Sequence, residues 1–322
     1  MSLNKKLQIM LAANEGPALQ DMSLQDARTA LEQSFLLRGY PIEHPATIEH
    51  RDISGASGNF SLDIYRPQGS TEKLPVLVYF HGGGFVLGGA TACDRQSRAL
   101  SYLLDVAVVF VNYRLAPEHV FPAAVDDAKE TINWLLENAE SLNLNLQKLI
   151  TCGESAGGNL AVHAALAANQ LAQQDLAAHK VTGTSILYPV TDLRPFYQPG
   201  PEYPSLSRYG SGYNLDIAEL KWFWQHYLAE DKQAWHPDNS LLLHPQLALL
   251  SNTQIFVAEC DPLRDMGIAF ASKLQELDVA VSLDCLPGML HSFMFHGSVC
   301  PAALRNFYKV VEQIDQQFHS KD

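Results

Sequence analysis

The alternation of apolar segments along the chain constrains its fold most. Short runs rich in β-branched residues recur at 76–80, 106–111, 148–152, 184–187, 255–258 and 279–283. Between them lie longer segments, near 94–104, 123–137, 159–172, 266–277 and 302–318, with apolar residues at three- and four-residue spacing. A strand that is apolar on both faces must be covered on both, and helices on the crossover connections supply that cover. The pattern predicts an α/β protein with a mostly parallel central sheet flanked by helices. Upstream, 47–53 and 60–66 alternate around Gly55-Ala56-Ser57-Gly58, which predicts an antiparallel hairpin leading into the sheet.

Two stretches break the alternation. Residues 1–45 carry a pair of helical patterns, and 191–244 are rich in Pro, Tyr and Trp. Insertions of this kind lie over the strand ends, where α/β folds bind ligands. Both are assigned to one helical cap, leaving 46–190 and 245–322 as the core of a single catalytic unit. At 322 residues and 47% hydrophobic content, the chain can bury a core of that size.

A net charge of -13 argues against a nucleic-acid partner, because phosphate binding draws on Lys and Arg. No window approaches the 18 or so continuous apolar residues of a membrane span, so no stable membrane insertion is expected. The run 7–11 is too short and polar for a secretory signal. Five cysteines without a C-x-x-C pair remove the usual zinc and redox patterns. Cys152, Cys260 and Cys285 fall in or at the ends of strand-like runs and are expected to be buried free thiols, consistent with a cytoplasmic protein.

One strand-like run breaks into Gly153-Glu154-Ser155-Ala156-Gly157 and then enters a helical pattern. Glycines two residues to either side allow a sharp strand-to-helix turn that would expose the Ser155 hydroxyl at a helix N-terminus. A serine hydroxyl needs a general base, and that base needs a group to fix its tautomer. In this architecture both follow the serine, at the ends of later strands. Asp261 stands where the 253–260 run stops, with Asp265 on the helix beyond and Glu259 as a weaker rival. His291 lies in a loop after the 279–286 run, with His296 close by and expected on the next helix. His81-Gly82-Gly83-Gly84 follows the 76–80 run directly, and its unobstructed N–H groups, those of Gly83 and Gly84, together with that of Ala156, would form an oxyanion hole.

These residues, with Tyr113-Arg114-Leu115-Ala116-Pro117-Glu118, Gly153 to Gly158, Asp261-Pro262-Leu263-Arg264-Asp265 and His291-Ser292-Phe293, resemble the hormone-sensitive lipase-like branch of the α/β-hydrolases. The likeness spans about 75–295. It implies a carboxylesterase acting on short- to medium-chain acyl esters, with Ser155, Asp261 and His291 catalytic and neither metal nor organic cofactor. Glu154 stands where this branch more often has Asp. Arg114 and Glu118 are expected to form buried ion pairs beneath the site. Tyr188, Phe196, Tyr209, Trp222 and Trp224 are candidates for the acyl cleft, and an exposed last strand is a candidate homodimer edge. The triad leaves open an amidase, arylformamidase or deacetylase of a specific metabolite. A non-catalytic small-molecule binding protein on the same scaffold is the alternative of another class, which the presence of His291 disfavours.

Overall fold

The structure, a computed structural model, describes residues 2–13, 16–174, 180–197 and 200–319. Eight strands form one sheet: β1 (Ala46–Gly55), β2 (Gly58–Pro67), β3 (Leu74–Phe80), β4 (Ala107–Asn112), β5 (Leu144–Glu154), β6 (Gly183–Leu187), β7 (Thr253–Cys260) and β8 (Val281–Leu290), in the order β1-β2-β4-β3-β5-β6-β7-β8. β1 and β2 pair antiparallel as the hairpin, and β2 runs antiparallel to β4. From β4 to β8 every pairing is parallel.

The alternation of side chains along β3 shows why two helical layers are needed. Val76, Val78 and Phe80 join a core shared with α4 (Ala123–Asn138), α5 (Ala156–Gln173) and α8 (Arg264–Glu276). Leu77 and Tyr79 join a second core, with α3 (Ala90–Leu104) and α9 (Pro301–His319). This is the α/β-hydrolase arrangement, a mostly parallel sheet with helices on both faces.

Two expectations need correcting at β8. The 279–286 run does not end in a loop: the strand continues through Pro287 and Gly288 to Leu290, pairing Cys260 with Leu290 after a register shift. A proline is tolerated there because β8 is the sheet edge, where a missing N–H breaks no ladder bond on the open side. Cys285 is exposed for the same reason, whereas Cys152 and Cys260 are buried as expected.

The segments outside the alternation contain α1 (Lys5–Ala12), α2 (Leu24–Arg38), α6 (Pro204–Tyr209) and α7 (Ile217–Tyr227). Ser23 caps α2 by accepting the Asp26 N–H, and Asp216 and Glu219 form a reciprocal capping box at the start of α7. α6 is anchored to the core where Ser205 donates its hydroxyl to the Pro262 carbonyl and its N–H to Asp265, at 2.7 Å each. Among the described residues, no helix is long and apolar enough to cross a membrane.

Candidate active site

Ser155 occupies the single residue between β5 and α5, at φ 55° and ψ -120°. A non-glycine residue in such a conformation costs about 1–3 kcal/mol and persists only when its surroundings hold it. Here the Ser155 N–H donates to the Leu187 carbonyl at 2.9 Å, and its carbonyl accepts from Val190 at 3.0 Å. The flanking glycines are required by close backbone approach: a methyl on Gly153 would lie 2.1 Å from the Gly157 carbonyl oxygen, and one on Gly157 would lie 2.0 Å from that of Phe80.

Asp261 and His291 are the residues that immediately follow β7 and β8. The His291 Nδ1–H donates to Asp261 Oδ2 at 2.8 Å, which leaves Nε2 as the acceptor facing Ser155 Oγ at 3.0 Å. Asp261 is fully buried, and its second oxygen accepts the Leu263 N–H at 2.8 Å. The Tyr188 ring meets the imidazole edge to face, with centroids 4.8 Å apart. Asn214, in the aromatic-rich insertion, donates to the His291 carbonyl at 3.3 Å.

His81-Gly82-Gly83-Gly84 leaves the end of β3 as a tight turn in which Val86 and Leu87 both donate to the Gly83 carbonyl. Among the described residues the Gly83 and Gly84 N–H groups have no protein acceptor, and the Ala156 N–H lies in the unsatisfied first turn of α5. Gly83, Gly84, Ser155 and His291 line one cavity of about 510 Å³.

Glu154 joins the two motifs. Its carboxylate accepts the Gly82 N–H, and complete burial raises its pKa to about 7, against the opposing effects of that bond and of His291. His81 stacks on Tyr113 at 4.3 Å and donates from Nδ1 to the Gly82 carbonyl at 2.7 Å. Burial lowers its pKa to about 4, so it supports the loop as a neutral ring.

Several residues lie elsewhere than expected. Glu259 does not contact His291; its carboxylate accepts the Gly288 N–H at 2.7 Å and braces the strand that carries the histidine. His296 is in the turn after Phe293–Phe295, before α9, and is buried. Arg114 pairs at 2.7 Å with Asp127, which is buried, but Glu118 is half exposed and pairs with Arg28 of α2, because it points away from the core. Of the five aromatics, Trp224 lines the cavity; Tyr188 lies under His291, Phe196 packs on Trp224, Trp222 on Phe223, and Tyr209 on Tyr213. No local sequence signal marks Asn214, whose partner is 77 positions away.

About two turns along α5 from Ser155, His163, Asp238 and His244 offer ligand atoms within 4.8 Å of one another. Their polar groups already serve to join α5 and α4 to the segment after α7: His163 donates to the Asp238 carbonyl at 2.9 Å, and Lys129 pairs with the Asp238 carboxylate at 3.1 Å.

A family model described as the alpha/beta hydrolase fold matches residues 77–295. The chain is 36% identical to an ethyl acetate hydrolase of Pseudomonas putida, over 98% of this chain and 99% of that protein. It is also 36% identical to a carboxylesterase of Mycobacterium tuberculosis, over 80% of this chain and 78% of that one. Among solved structures, a hyperthermophilic esterase from Pyrobaculum calidifontis superposes with a TM-score of 0.87 at 30% identity, covering 98% of this chain and 99% of that chain. The strand order, the serine turn and these likenesses agree: the chain belongs to the α/β-hydrolase family, on its hormone-sensitive lipase-like carboxylesterase branch.

Proposed function

We propose that this carboxylic ester hydrolase works by a two-step acyl-enzyme mechanism with Ser155 as nucleophile. His291 Nε2 takes the Ser155 proton as Oγ attacks the ester carbonyl, and the carbonyl oxygen becomes an oxyanion met by the N–H groups of Gly83, Gly84 and Ala156. Collapse breaks the bond to the alkoxy oxygen, to which His291 returns the proton. Water then attacks the acyl-Ser155 ester by the same route and releases the acid. Asp261 holds the imidazole tautomer and offsets its charge in the transition state. The observation that carries this reading is the unbroken line Asp261–His291–Ser155, at 2.8 and 3.0 Å.

Residues 1–45 and 191–244 act as the cap, and a cavity of about 510 Å³ suits short to medium acyl chains. The ethyl acetate hydrolase relative supports the short end of that range. β8, the open sheet edge, pairs with its counterpart in a homodimer, and the protein works in the cytoplasm. An acyl series of chromogenic esters from acetyl to palmitoyl tests the substrate assignment, with kcat/KM expected to peak between acetyl and hexanoyl. A peak at palmitoyl, or an amide cleaved faster than its matched ester, contradicts it. Mass analysis after a fluorophosphonate should find the label on Ser155; a label on another residue removes the nucleophile assignment.

A further inference from the structure

The cavity that holds Ser155 and His291 is also lined by Ser34 and Arg38 of α2 and by His296. Arg38 is partly buried, and that burial lowers its pKa. Its guanidinium donates to the Ser34 hydroxyl of the preceding turn, and no carboxylate among the described residues pairs with it. The charge sits at the C-terminal turn of α2, where the helix dipole offsets only part of the desolvation cost. Beside it, His296 is buried and, among the described residues, makes no side-chain hydrogen bond, its Nδ1 lacking a partner. Burial, reinforced by Arg38 and by His291, lowers the His296 pKa to about 3, so the ring is neutral and has one N–H to give.

The acidic residues of the same cavity do not complement this charge. Glu219 accepts the Asp216 N–H at 2.8 Å, and Asp216 accepts the Gly212 N–H at 2.9 Å. Both carboxylates are engaged at the N-terminus of α7, where the helix dipole favours them, and burial moves the Glu219 pKa upward. A guanidinium fork, a hydroxyl and an imidazole N–H therefore share one wall of the cavity, with no anion paired to them among the described residues.

We propose that this wall is a subsite for a carboxylate carried by the substrate, so that the preferred esters are half-esters of dicarboxylic acids or acyl esters of hydroxy acids. The proposal rests on the ester-hydrolase reading and narrows it. Arg38 would bind the carboxylate bidentately while Ser34 and His296 each donate one hydrogen bond, pairing a partly buried charge that has no carboxylate partner among the described residues. The reacting ester would then be positioned over Ser155 by contacts remote from the bond that breaks.

Two matched pairs test this at about pH 7.5: monoethyl succinate against its neutral amide isostere ethyl succinamate, and acetoxyacetate against acetoxyacetamide. The first pair puts the charge on the acyl side and the second on the alcohol side. Each kcat/KM is divided by the ester's own hydroxide-catalysed rate. In one pair the charged ester should exceed its amide by about tenfold or more, the range of a charged hydrogen-bonded pair; which pair does so identifies the side. Arg38→Met should bring that ratio to near unity, and Arg38→Lys should restore part of it. Because the readout is a ratio within one protein, a general loss of activity or of folded protein does not imitate it. Amides equal to or better than both charged esters in the wild type overturn the subsite without any variant, and so does a preference that survives Arg38→Met. Failure of the wild type to cleave neutral p-nitrophenyl acetate would instead strike the esterase reading.

Discussion

The floor and the outer wall of the cavity that holds Ser155 and His291 are held by different kinds of contact. The floor, made of the Ser155 turn and the Gly82–Gly84 loop, is held mainly by backbone: the hydrogen bonds that Ser155 gives to Leu187 and accepts from Val190, and glycines with no room for a methyl. The outer wall, made of α1, α2 and α7, is held by side chains: stacked Phe85 and Tyr227 with Trp224 packed beside them, and polar ties such as Arg28 to Glu118 and Asn214 to His291. Backbone cannot give way without unmaking neighbouring strands, whereas side chains can exchange volume. On the proposed mechanism, the contrast assigns reaction chemistry to the floor and substrate choice to the wall.

The largest expected effect is on the floor. Ser155→Ala should lower kcat/KM by roughly 10⁵–10⁶-fold with unchanged circular dichroism, since removing the proposed nucleophile would disable the whole unit. Residual turnover above a hundredth of wild type, or burst-phase acylation, would break the comparison at its base.

The next pair sets floor directly against wall. A methyl on Gly83 would lie 2.2 Å from the Leu87 carbonyl oxygen, which is backbone, whereas one on Gly84 would lie 2.3 Å from the Phe223 ring of α7. Both glycines have positive φ, at 103° and 63°. Each Gly→Ala change should cost about 10²–10³-fold in kcat, the usual effect of displacing an oxyanion donor. Phe223→Ala should recover part of the Gly84→Ala loss and none of the Gly83→Ala loss. Equal rescue of both would show that the two surfaces are not mechanically distinct.

Glu154 gives a pH test of how tightly the floor is sealed. Its folded-state pKa of about 7 lies above the ordinary value of 4.5, so the buried carboxyl costs nothing below pH 4.5. The cost grows as pH rises towards about 7 and is constant beyond. Relative to Glu154→Gln, the wild type should therefore lose stability across that window, by at most about 3 kcal/mol. Parallel denaturation midpoints for the two proteins from pH 4.5 to 8 would mean that water reaches the carboxyl.

The smallest effect belongs to the wall. Arg28 bonds bidentately to Glu118 at 2.8 and 2.7 Å and also donates to the Val86 and Ala116 carbonyls at 3.1 Å each. Glu118 is half exposed, so the ion pair itself contributes little. Arg28→Ala should raise KM about two- to fivefold with kcat nearly unchanged, as expected when binding rather than transition-state contacts are loosened. A drop in kcat larger than the rise in KM would place α2 in the chemistry rather than in binding.

Much of the floor was legible because its constraints are local. A strand, a turn and a helix adjacent in sequence suffice to describe Ser155, and the chain order of Asp261 and His291 follows from strands read one at a time. The wall was less legible. Pro287 looked like the end of a strand because the edge position that tolerates it is a property of the sheet. Glu118 looked like a buried partner because the solvent on its far side is invisible in one dimension. Tyr209 and Trp224 look alike as aromatic residues of an insertion, yet only Trp224 reaches the cavity.

The sequence by itself determined the parallel α/β sheet, the serine turn and its chain-ordered partners, since apolar periodicity and glycine spacing act within a few residues of the chain. Tertiary structure alone decided which groups face one another across the cavity. Arg38 lies 117 positions before Ser155 and His296 lies 141 after it, so no local rule relates them. They share a wall because the C-terminal end of α2 packs on the turn that follows β8, where Phe35 stacks on Phe295 and the Ser298 N–H donates to the Arg38 carbonyl. Partial burial leaves Arg38 with less water around its charge and, among the described residues, no carboxylate to replace it.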